Sequence, residues 1–274
     1  MEEVPTRASA GKTARAFVGV DHDATAIEFA HAALGTDVVA VRQDLEKDRD
    51  HATRDATARF VWDGAAPMAT WLCENATTRV RGKRVVELGA GPGLPGIVAA
   101  KLGAREVVLT DLASELELLR ANAALNGLEV RDDDDDDDGD DGDDGGGGGG
   151  GRVRVRACPW GDADAARALG TFDLVVCSDV LYGHREETAR ALARTMRRLC
   201  AFGGERGGGG GGGGEAGEGE RGAAVVSYFA REKLFADVPF FETCDELFLD
   251  ATQHTVGGVA EENEDLWFLE YRPK

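Results

Sequence analysis

The amino-acid sequence predicts an α/β fold, a doubly wound, mostly parallel, seven-stranded sheet with an antiparallel hairpin at one edge. Short apolar runs alternate with segments of helical length from residue 84 to residue 240, as in chains of consecutive strand–helix units. A glycine-rich turn joins the first of these runs to the first helical segment. The last two apolar runs have no helix between them, so we expect them to pair antiparallel.

Each predicted strand is a short run of apolar or alternating residues bounded by turn residues. The predicted strands are residues 84–88, 106–110, 153–156, 172–177, 223–228, 246–249 and 265–271. Residues 37–41 suggest a further strand near the beginning of the chain, and residues 48–59 a polar helix or loop.

The predicted helices fill the intervals between the strands. They are residues 94–102, 114–127, 163–169, 186–199 and 232–240. Gly103 is expected to end the first, because glycine readily adopts the left-handed conformation that follows many helices. Ser114 is predicted to cap the second, with Glu117 three residues later completing a capping box.

Two low-complexity tracts interrupt this pattern, an Asp-rich and Gly-rich run at 132–151 and a Gly/Glu-rich run at 203–222. Neither can bury apolar surface, so both are interpreted as insertions in surface loops. We therefore divide the chain into a partly flexible N-terminal extension (1–55) and one α/β domain (56–274) that carries both insertions.

Composition excludes several classes of protein. The 274 residues carry a net charge of −20, and eleven aspartates in the first tract leave −9 for the rest of the chain, which argues against nucleic-acid and anionic-membrane partners. Five scattered cysteines without CxxC spacing predict neither a disulfide framework nor a metal site. The first 20 residues contain no apolar run of signal-peptide length, and about 18 consecutive apolar residues occur nowhere, so we expect a protein of the cytoplasm or the nucleus. We also expect a monomer.

The sharpest local motif is ELGAGPGLPG at residues 87–96. Glycines at 89 and 91 let the backbone approach a ligand closely, with Ala90 between them. Asp111 ends the next strand about 20 residues further on, where a carboxylate can accept hydrogen bonds from both hydroxyls of a ribose. Together, the turn and the acid predict an adenosine-containing ligand.

Neighbouring residues favour S-adenosylmethionine over a dinucleotide. Glu87 would attract the ammonium of a methionine moiety and repel a pyrophosphate. Pro92 and Pro95 remove two N–H donors that a phosphate-binding helix start would use. Alternatively, Glu87 only hydrogen-bonds the glycine-rich turn.

The motifs in their order resemble the seven-β-strand (class I) protein-lysine methyltransferases of the methyltransferase family 16 type, over about residues 55–274 without the insertions. The segments that carry the resemblance are VWD at 61–63, ELGAGPGLPG at 87–96, TD at 110–111, PWG at 159–161 and SDVLY at 178–182. The resemblance implies a Rossmann-like fold that binds S-adenosylmethionine. It implies that Trp62 lies over the methionine part of this molecule and Trp160 against its adenine; either could instead be core.

The segment 178–182 follows the fourth strand of the sheet and is expected at its carboxyl edge, where open α/β sheets bind ligands. The resemblance implies that Asp179 orients the acceptor amine, that Tyr182 lines the amine channel and that Ser178 lines the cofactor site. Without it, Asp179 would be an ordinary strand-end acid and Tyr182 a packing residue. His184 is left out of the catalytic set, because a lone loop histidine is more often solvated.

The leading hypothesis is a methyltransferase that modifies a lysine side chain of a protein, such as a chaperone or a translation factor. Arginine or a nicotinamide-like small molecule remains an alternative acceptor, because acceptor choice depends on loops outside the cofactor fold. Two other classes stay open: a non-catalytic cofactor-binding interaction protein and a nicotinamide-dependent oxidoreductase.

Overall fold

The computed structural model describes residues 24–44, 58–131, 151–201, 222–230, 234–256 and 265–274. Its strands are β1 (Ala26–Ala30), β2 (Val38–Arg42), β3 (Arg84–Leu88), β4 (Glu106–Asp111), β5 (Arg152–Ala157), β6 (Leu174–Ser178), β7 (Ala223–Phe229), β8 (Thr252–His254) and β9 (Leu266–Tyr271). Its α-helices are α1 (Ala65–Glu74), α2 (Leu94–Lys101), α3 (Leu116–Leu125), α4 (Ala163–Leu169), α5 (Glu186–Leu199) and α6 (Leu234–Leu247).

Seven strands form one sheet in the order β5-β4-β3-β6-β7-β9-β8. The five strands from β5 to β7 are parallel, whereas β9 runs antiparallel to both β7 and β8. The predicted fold class, Rossmann-like with an antiparallel edge hairpin, is confirmed. After β3 the chain first extends the sheet toward β5 and then returns to place β6 on the other side of β3, so the strand order reverses between β3 and β6. Ligands bind at such a reversal, beyond the carboxyl ends of the strands.

Helices cover both faces of the sheet, which is why its central strands are apolar on both sides. Val85 packs in a core that includes α1, α2 and α3, and its neighbour Val86 packs in a second core that includes α4, α5 and α6. On β4, Val107 likewise packs in the first core and Val108 in the second. This alternation holds the carboxyl edge of the sheet rigidly between two helical layers. Among the described residues, no helix combines the length and the apolar character needed to cross a membrane.

The predicted strand at 246–249 is wrong. Helix α6 continues through Leu247, and the edge strand is β8, at Thr252–His254. Phe240, Cys244 and Phe248 are buried at intervals of four residues, which is the spacing of one helix face. A short apolar run at the end of a helix therefore resembled a strand. The predicted antiparallel pairing with the last strand is nevertheless present, between β8 and β9.

The start of α3 also differs from the prediction. A 3₁₀ turn at Ala113–Glu115 precedes the helix, and no side chain caps the first residue, Leu116. The Ser114 hydroxyl donates to Oε1 of Glu115 instead. Helix α1, in which residues 65–73 are all buried, was not predicted.

The first described segment, 24–44, forms a hairpin of β1 and β2, and Phe29, Val39 and Val41 of this hairpin are buried in the core on the α3 side of the sheet. The suggested strand at 37–41 is thus present as β2. Part of the predicted N-terminal extension packs against the domain. Most of the predicted segment 48–59 and both insertions lie outside the described residues, apart from Gly151 and Gly222 at the insertions' ends.

Candidate active site

A cavity of about 500 Å³ opens at the carboxyl edge of the sheet, where the strand order reverses. Its volume is in the range of small-molecule and cofactor sites. All ten residues predicted for the site line it: Trp62, Glu87, Gly89, Ala90, Gly91, Asp111, Trp160, Ser178, Asp179 and Tyr182. Glu87, Asp111 and Ser178 meet here because the parallel strands β3, β4 and β6 bring their carboxyl ends to one edge.

The glycine-rich loop between β3 and α2 forms the floor of the cavity. Gly89 has φ +64°, and a Cβ on it would lie 2.9 Å from Cγ1 of Val180 and 3.1 Å from Cζ2 of Trp160. Both the left-handed backbone and the lack of space require glycine at this position. The loop therefore offers bare backbone next to the Trp160 ring.

Asp111, the last residue of β4, fastens this loop. Its Oδ2 accepts a hydrogen bond from the N–H of Gly91, and its Oδ1 accepts one from the N–H of Leu112, each at 2.7 Å. Burial raises the pKa of Asp111, and the two backbone hydrogen bonds oppose this rise. Each carboxylate oxygen has a second lone pair for a ligand hydroxyl. The ribose role of Asp111 stays a prediction.

Glu87 is buried beneath the loop, and its Oε2 accepts a hydrogen bond from the N–H of Gly96 in the first turn of α2, at 2.8 Å. Burial raises the pKa of Glu87 to about 8, because this effect outweighs the Gly96 hydrogen bond. At neutral pH the side chain is then mostly protonated, which weakens the charge argument made from the sequence. The structure shows the alternative role of Glu87, a hydrogen bond to the glycine-rich segment at the start of α2. Attraction of a ligand ammonium by Glu87 stays a prediction.

Replacing Glu87 with glutamine is expected to change the pH dependence of stability. The folded-state pKa of Glu87 is raised, so its contribution is fully present below the unfolded pKa of about 4.5 and is lost as pH rises through about 8. The free energy of unfolding of Glu87→Gln should therefore fall less steeply than that of the wild type between pH 5 and 8. Urea denaturation across this range measures the difference, and parallel curves would contradict the assignment.

Aromatic rings form one wall of the cavity. His184 contacts Trp160, with ring centroids 5.3 Å apart, and Tyr182, with centroids 4.2 Å apart. One ring nitrogen of His184 is held 2.8 Å from the carbonyl oxygen of Val180. Trp62 lines the cavity with Phe60, whose centroid is 6.5 Å from its own. His184 is thus part of the wall, whereas the sequence suggested a solvated loop residue.

The segment after β6 brings the predicted catalytic residues to the cavity. Asp179 is 4% exposed and has φ +52°, the one positive value among the non-glycine residues that the structure describes. Such strained backbone is often found at functional sites, and aspartate tolerates it better than most residues. The N–H of Asp179 donates to the carbonyl oxygen of Ser227 on β7 at 3.1 Å. Tyr182, 38% exposed, lies on the solvent side of the same segment.

Ser178 ends β6, and its hydroxyl is buried in the cavity lining without a hydrogen-bond partner among the described residues. A buried hydroxyl without a partner is costly, so a ligand atom is a natural partner for it. The sequence did not predict several other lining residues: Ala58, Phe60, Leu112, Cys158, Arg185 and Thr188. Nothing in the described ranges brings three or more His, Cys, Asp or Glu side chains together as a metal site.

Comparisons with known proteins identify the group of enzymes that the chain resembles. A family model described as lysine methyltransferase matches residues 43–134. The predicted family resemblance is confirmed. The chain is 36% identical to the protein N-lysine methyltransferase METTL21A of Danio rerio over 53% of its own length. It is 34% identical to EEF1A lysine methyltransferase 3 of Mus musculus over 57% of its own length.

The matched part spans 57% of the length of each of these two relatives. Among solved structures, an O-methyltransferase family protein from Burkholderia thailandensis has a TM-score of 0.50 and 16% identity, covering 80% of this chain and 58% of that one. This likeness concerns the fold alone.

Proposed function

We propose that the chain is an S-adenosylmethionine-dependent N-methyltransferase that modifies a lysine side chain of a protein. One observation carries the proposal: the glycine-rich loop, Asp111 and the segment from Asp179 to Tyr182 meet in one cavity. The first two suit an adenosine-containing donor, and the third suits an amine acceptor. The similarity to lysine methyltransferases over residues 43–134 supports the same acceptor.

The residues present fit S-adenosylmethionine. Gly89 brings bare backbone against the Val180 side chain and the Trp160 ring, where a Cβ would be too close to both. The half-buried Trp160 offers a flat surface for an adenine, and Asp111 retains acceptor capacity for ribose hydroxyls. The Ser178 hydroxyl, buried without a described partner, is available to a ligand atom. When bound, S-adenosylmethionine supplies a methyl group on a positively charged sulfur.

The chain's own task is to present a neutral, aligned amine. A free lysine with a pKa of about 10.4 must lose a proton, which costs roughly 4 to 5 kcal/mol at pH 7. A cavity that excludes water lowers this cost, because desolvation disfavours the ammonium. Asp179, buried at the end of β6, accepts a hydrogen bond from the amine N–H and thereby directs the nitrogen lone pair.

Tyr182 is placed to receive the rest of the lysine side chain. It lines the cavity and is partly exposed, so its ring reaches from the site to the surface. An aromatic face attracts both the methylenes and the cationic form of an arriving amine. His184 packs against the Tyr182 ring and supports its orientation.

Asp111→Asn tests the donor half of the site. The amide has the same shape but no negative charge, and it has only one oxygen that can accept a hydrogen bond. Either the N–H of Gly91 or the N–H of Leu112 would therefore face the amide NH₂ group instead of an acceptor. We expect donor binding to weaken by roughly 1 to 3 kcal/mol. Isothermal titration calorimetry measures the change; unchanged affinity would remove Asp111 from the donor site.

Labelling tests the proposed acceptor. The purified chain is incubated with tritiated S-adenosylmethionine and a cell lysate, and the labelled band is sequenced. Label on a lysine of a protein supports the proposal. Label on arginine or on small molecules alone would show that lysine is not the acceptor. Tight donor binding without any label would favour a non-catalytic binding protein. Binding of NADH instead of S-adenosylmethionine would favour an oxidoreductase.

The proposed acceptor is a chaperone or a translation factor. The similarity to EEF1A lysine methyltransferase 3 of Mus musculus supports the second choice. The proposed compartment is the cytoplasm or the nucleus, in keeping with five cysteines that are all free thiols. The proposed state is a monomer, which sedimentation can test.

A further inference from the structure

Two asparagines of α3 dock the N-terminal hairpin onto the domain. The side-chain amide of Asn126 exchanges two hydrogen bonds with the backbone of Ala40, at 3.0 and 2.7 Å. One helical turn earlier, Asn122 does the same with Arg42, at 2.8 and 3.0 Å. Ala40 and Arg42 are alternate residues of β2, so each amide satisfies one N–H and one C=O on the open edge of that strand.

The two asparagines differ in their remaining hydrogen bond. Nδ2 of Asn126 donates to the carbonyl oxygen of Asn122, within the same helix, at 2.8 Å. Nδ2 of Asn122 donates to the carbonyl oxygen of Pro92, in the glycine-rich loop, at 3.0 Å. Asn122 is completely buried, and Pro92 is buried and lines the cavity. Asn122 therefore joins the hairpin to the floor of the cavity.

A second link joins the hairpin to the front wall of the same cavity. Gln43 follows β2; its Oε1 accepts a hydrogen bond from the N–H of Val61, and its Nε2 donates to the carbonyl oxygen of Ala24, both at 2.7 Å. Val61 lies in the wall segment 58–62. That segment also rests on the glycine-rich loop, since a Cβ on Gly91 would lie 2.8 Å from the carbonyl oxygen of Ala58. The hairpin thus holds two sides of the cavity.

We propose that Asn122 is a positioning residue of the donor site, which fixes the glycine-rich loop through the Pro92 carbonyl and couples this loop to the docked hairpin. The identity of the donor rests on the proposed function. Without the Asn122 amide, the buried Pro92 carbonyl loses this hydrogen bond, and a loop with left-handed glycines on both sides of Pro92 has other conformations available. The loop would then spend less time in the conformation that binds the donor.

Asn122→Ala and Asn126→Ala form a matched pair that separates loop positioning from hairpin docking. Each variant removes one pair of hydrogen bonds to β2 and one donated bond to a carbonyl elsewhere, but only Asn122 bonds the loop. We expect Asn122→Ala to bind S-adenosylmethionine about three- to tenfold more weakly by calorimetry. Asn126→Ala should stay within about twofold of the wild type at a similar loss of stability. Equal weakening in both variants would overturn the proposal.

Hydrogen exchange of the ligand-free chain gives a readout that does not depend on the donor. The amides of Gly91 and Gly93, which donate to Asp111 and Ala90, should exchange faster in Asn122→Ala alone. If the wild type binds no S-adenosylmethionine, the proposed function fails, and exchange decides the positioning role: equal exchange in both variants overturns it. If Asn122→Ala does not fold, Asn122→Ser and Asn126→Ser make the same comparison, since serine removes the side-chain amide but keeps a small polar group at each position.

Discussion

Asp179→Asn is expected to reduce turnover by about 100-fold or more, because an amine displaced by even about 1 Å reacts that much more slowly. Asparagine has the size of aspartate and tolerates the left-handed backbone at φ +52°. The substitution therefore removes the charge of the proposed hydrogen-bond acceptor with little disturbance of the fold. Initial rates with tritiated donor measure the loss, and calorimetry should find donor affinity within about threefold of the wild type.

The same strand supplies a matched control. Asp173 immediately precedes β6, as Asp179 immediately follows it, and its Oδ2 accepts a hydrogen bond from the N–H of Arg84 at the opposite edge of the sheet. Asp173→Asn should leave turnover unchanged. If Asp179→Asn retains more than about a third of wild-type turnover, Asp179 does not orient the amine.

Gly91→Ala is expected to abolish detectable donor binding and to lower the free energy of unfolding. A side chain at φ +52° costs about 1 to 2 kcal/mol, and the new Cβ would lie 2.8 Å from the backbone oxygen of Ala58. Relief of this clash requires movement of the loop or of the wall segment 58–62, and both line the cavity. Calorimetry and urea denaturation measure the two effects.

Gly127→Ala separates backbone strain from the clash. Gly127 also has a left-handed backbone, at φ +69°, but a Cβ on it would meet nothing within 4 Å. This variant should lose about 1 to 2 kcal/mol of stability and bind the donor normally. Donor binding by Gly91→Ala that matches Gly127→Ala would show that the contact with Ala58 is unimportant.

Local sequence patterns were sufficient for the elements that carry their own signal. The apolar run at 84–88, the glycine-rich turn and Asp111 predicted the centre of the sheet and the position of its cavity. Helix α1, buried over residues 65–73, was missed, whereas the equally buried α2 was predicted because the glycine-rich turn marks its start and Gly103 its end. The end of α6 was mistaken for a strand because a short apolar run fits either structure.

Contacts between distant segments decided the roles of individual side chains. Glu87 was predicted as a partner for a ligand ammonium, and the structure shows it hydrogen-bonded to Gly96 with its pKa raised by burial. No sequence pattern reports such burial, since it depends on every segment that packs around the carboxyl group. The bond from Asn122 to Pro92 spans 30 residues and has no local signature either.

The sequence by itself determined the alternation of strands and helices from β3 to β7 and the glycine-rich turn with Asp111, because periodicity and backbone preference are local properties. The family resemblance supplied the other predicted site residues. Only the tertiary structure decided that Gln43, after the hairpin, hydrogen-bonds the wall segment of the cavity, that His184 belongs to this wall and that Asn122 joins the hairpin to the glycine-rich loop. These features depend on burial and on hydrogen bonds between remote segments, which exist only once the chain has packed.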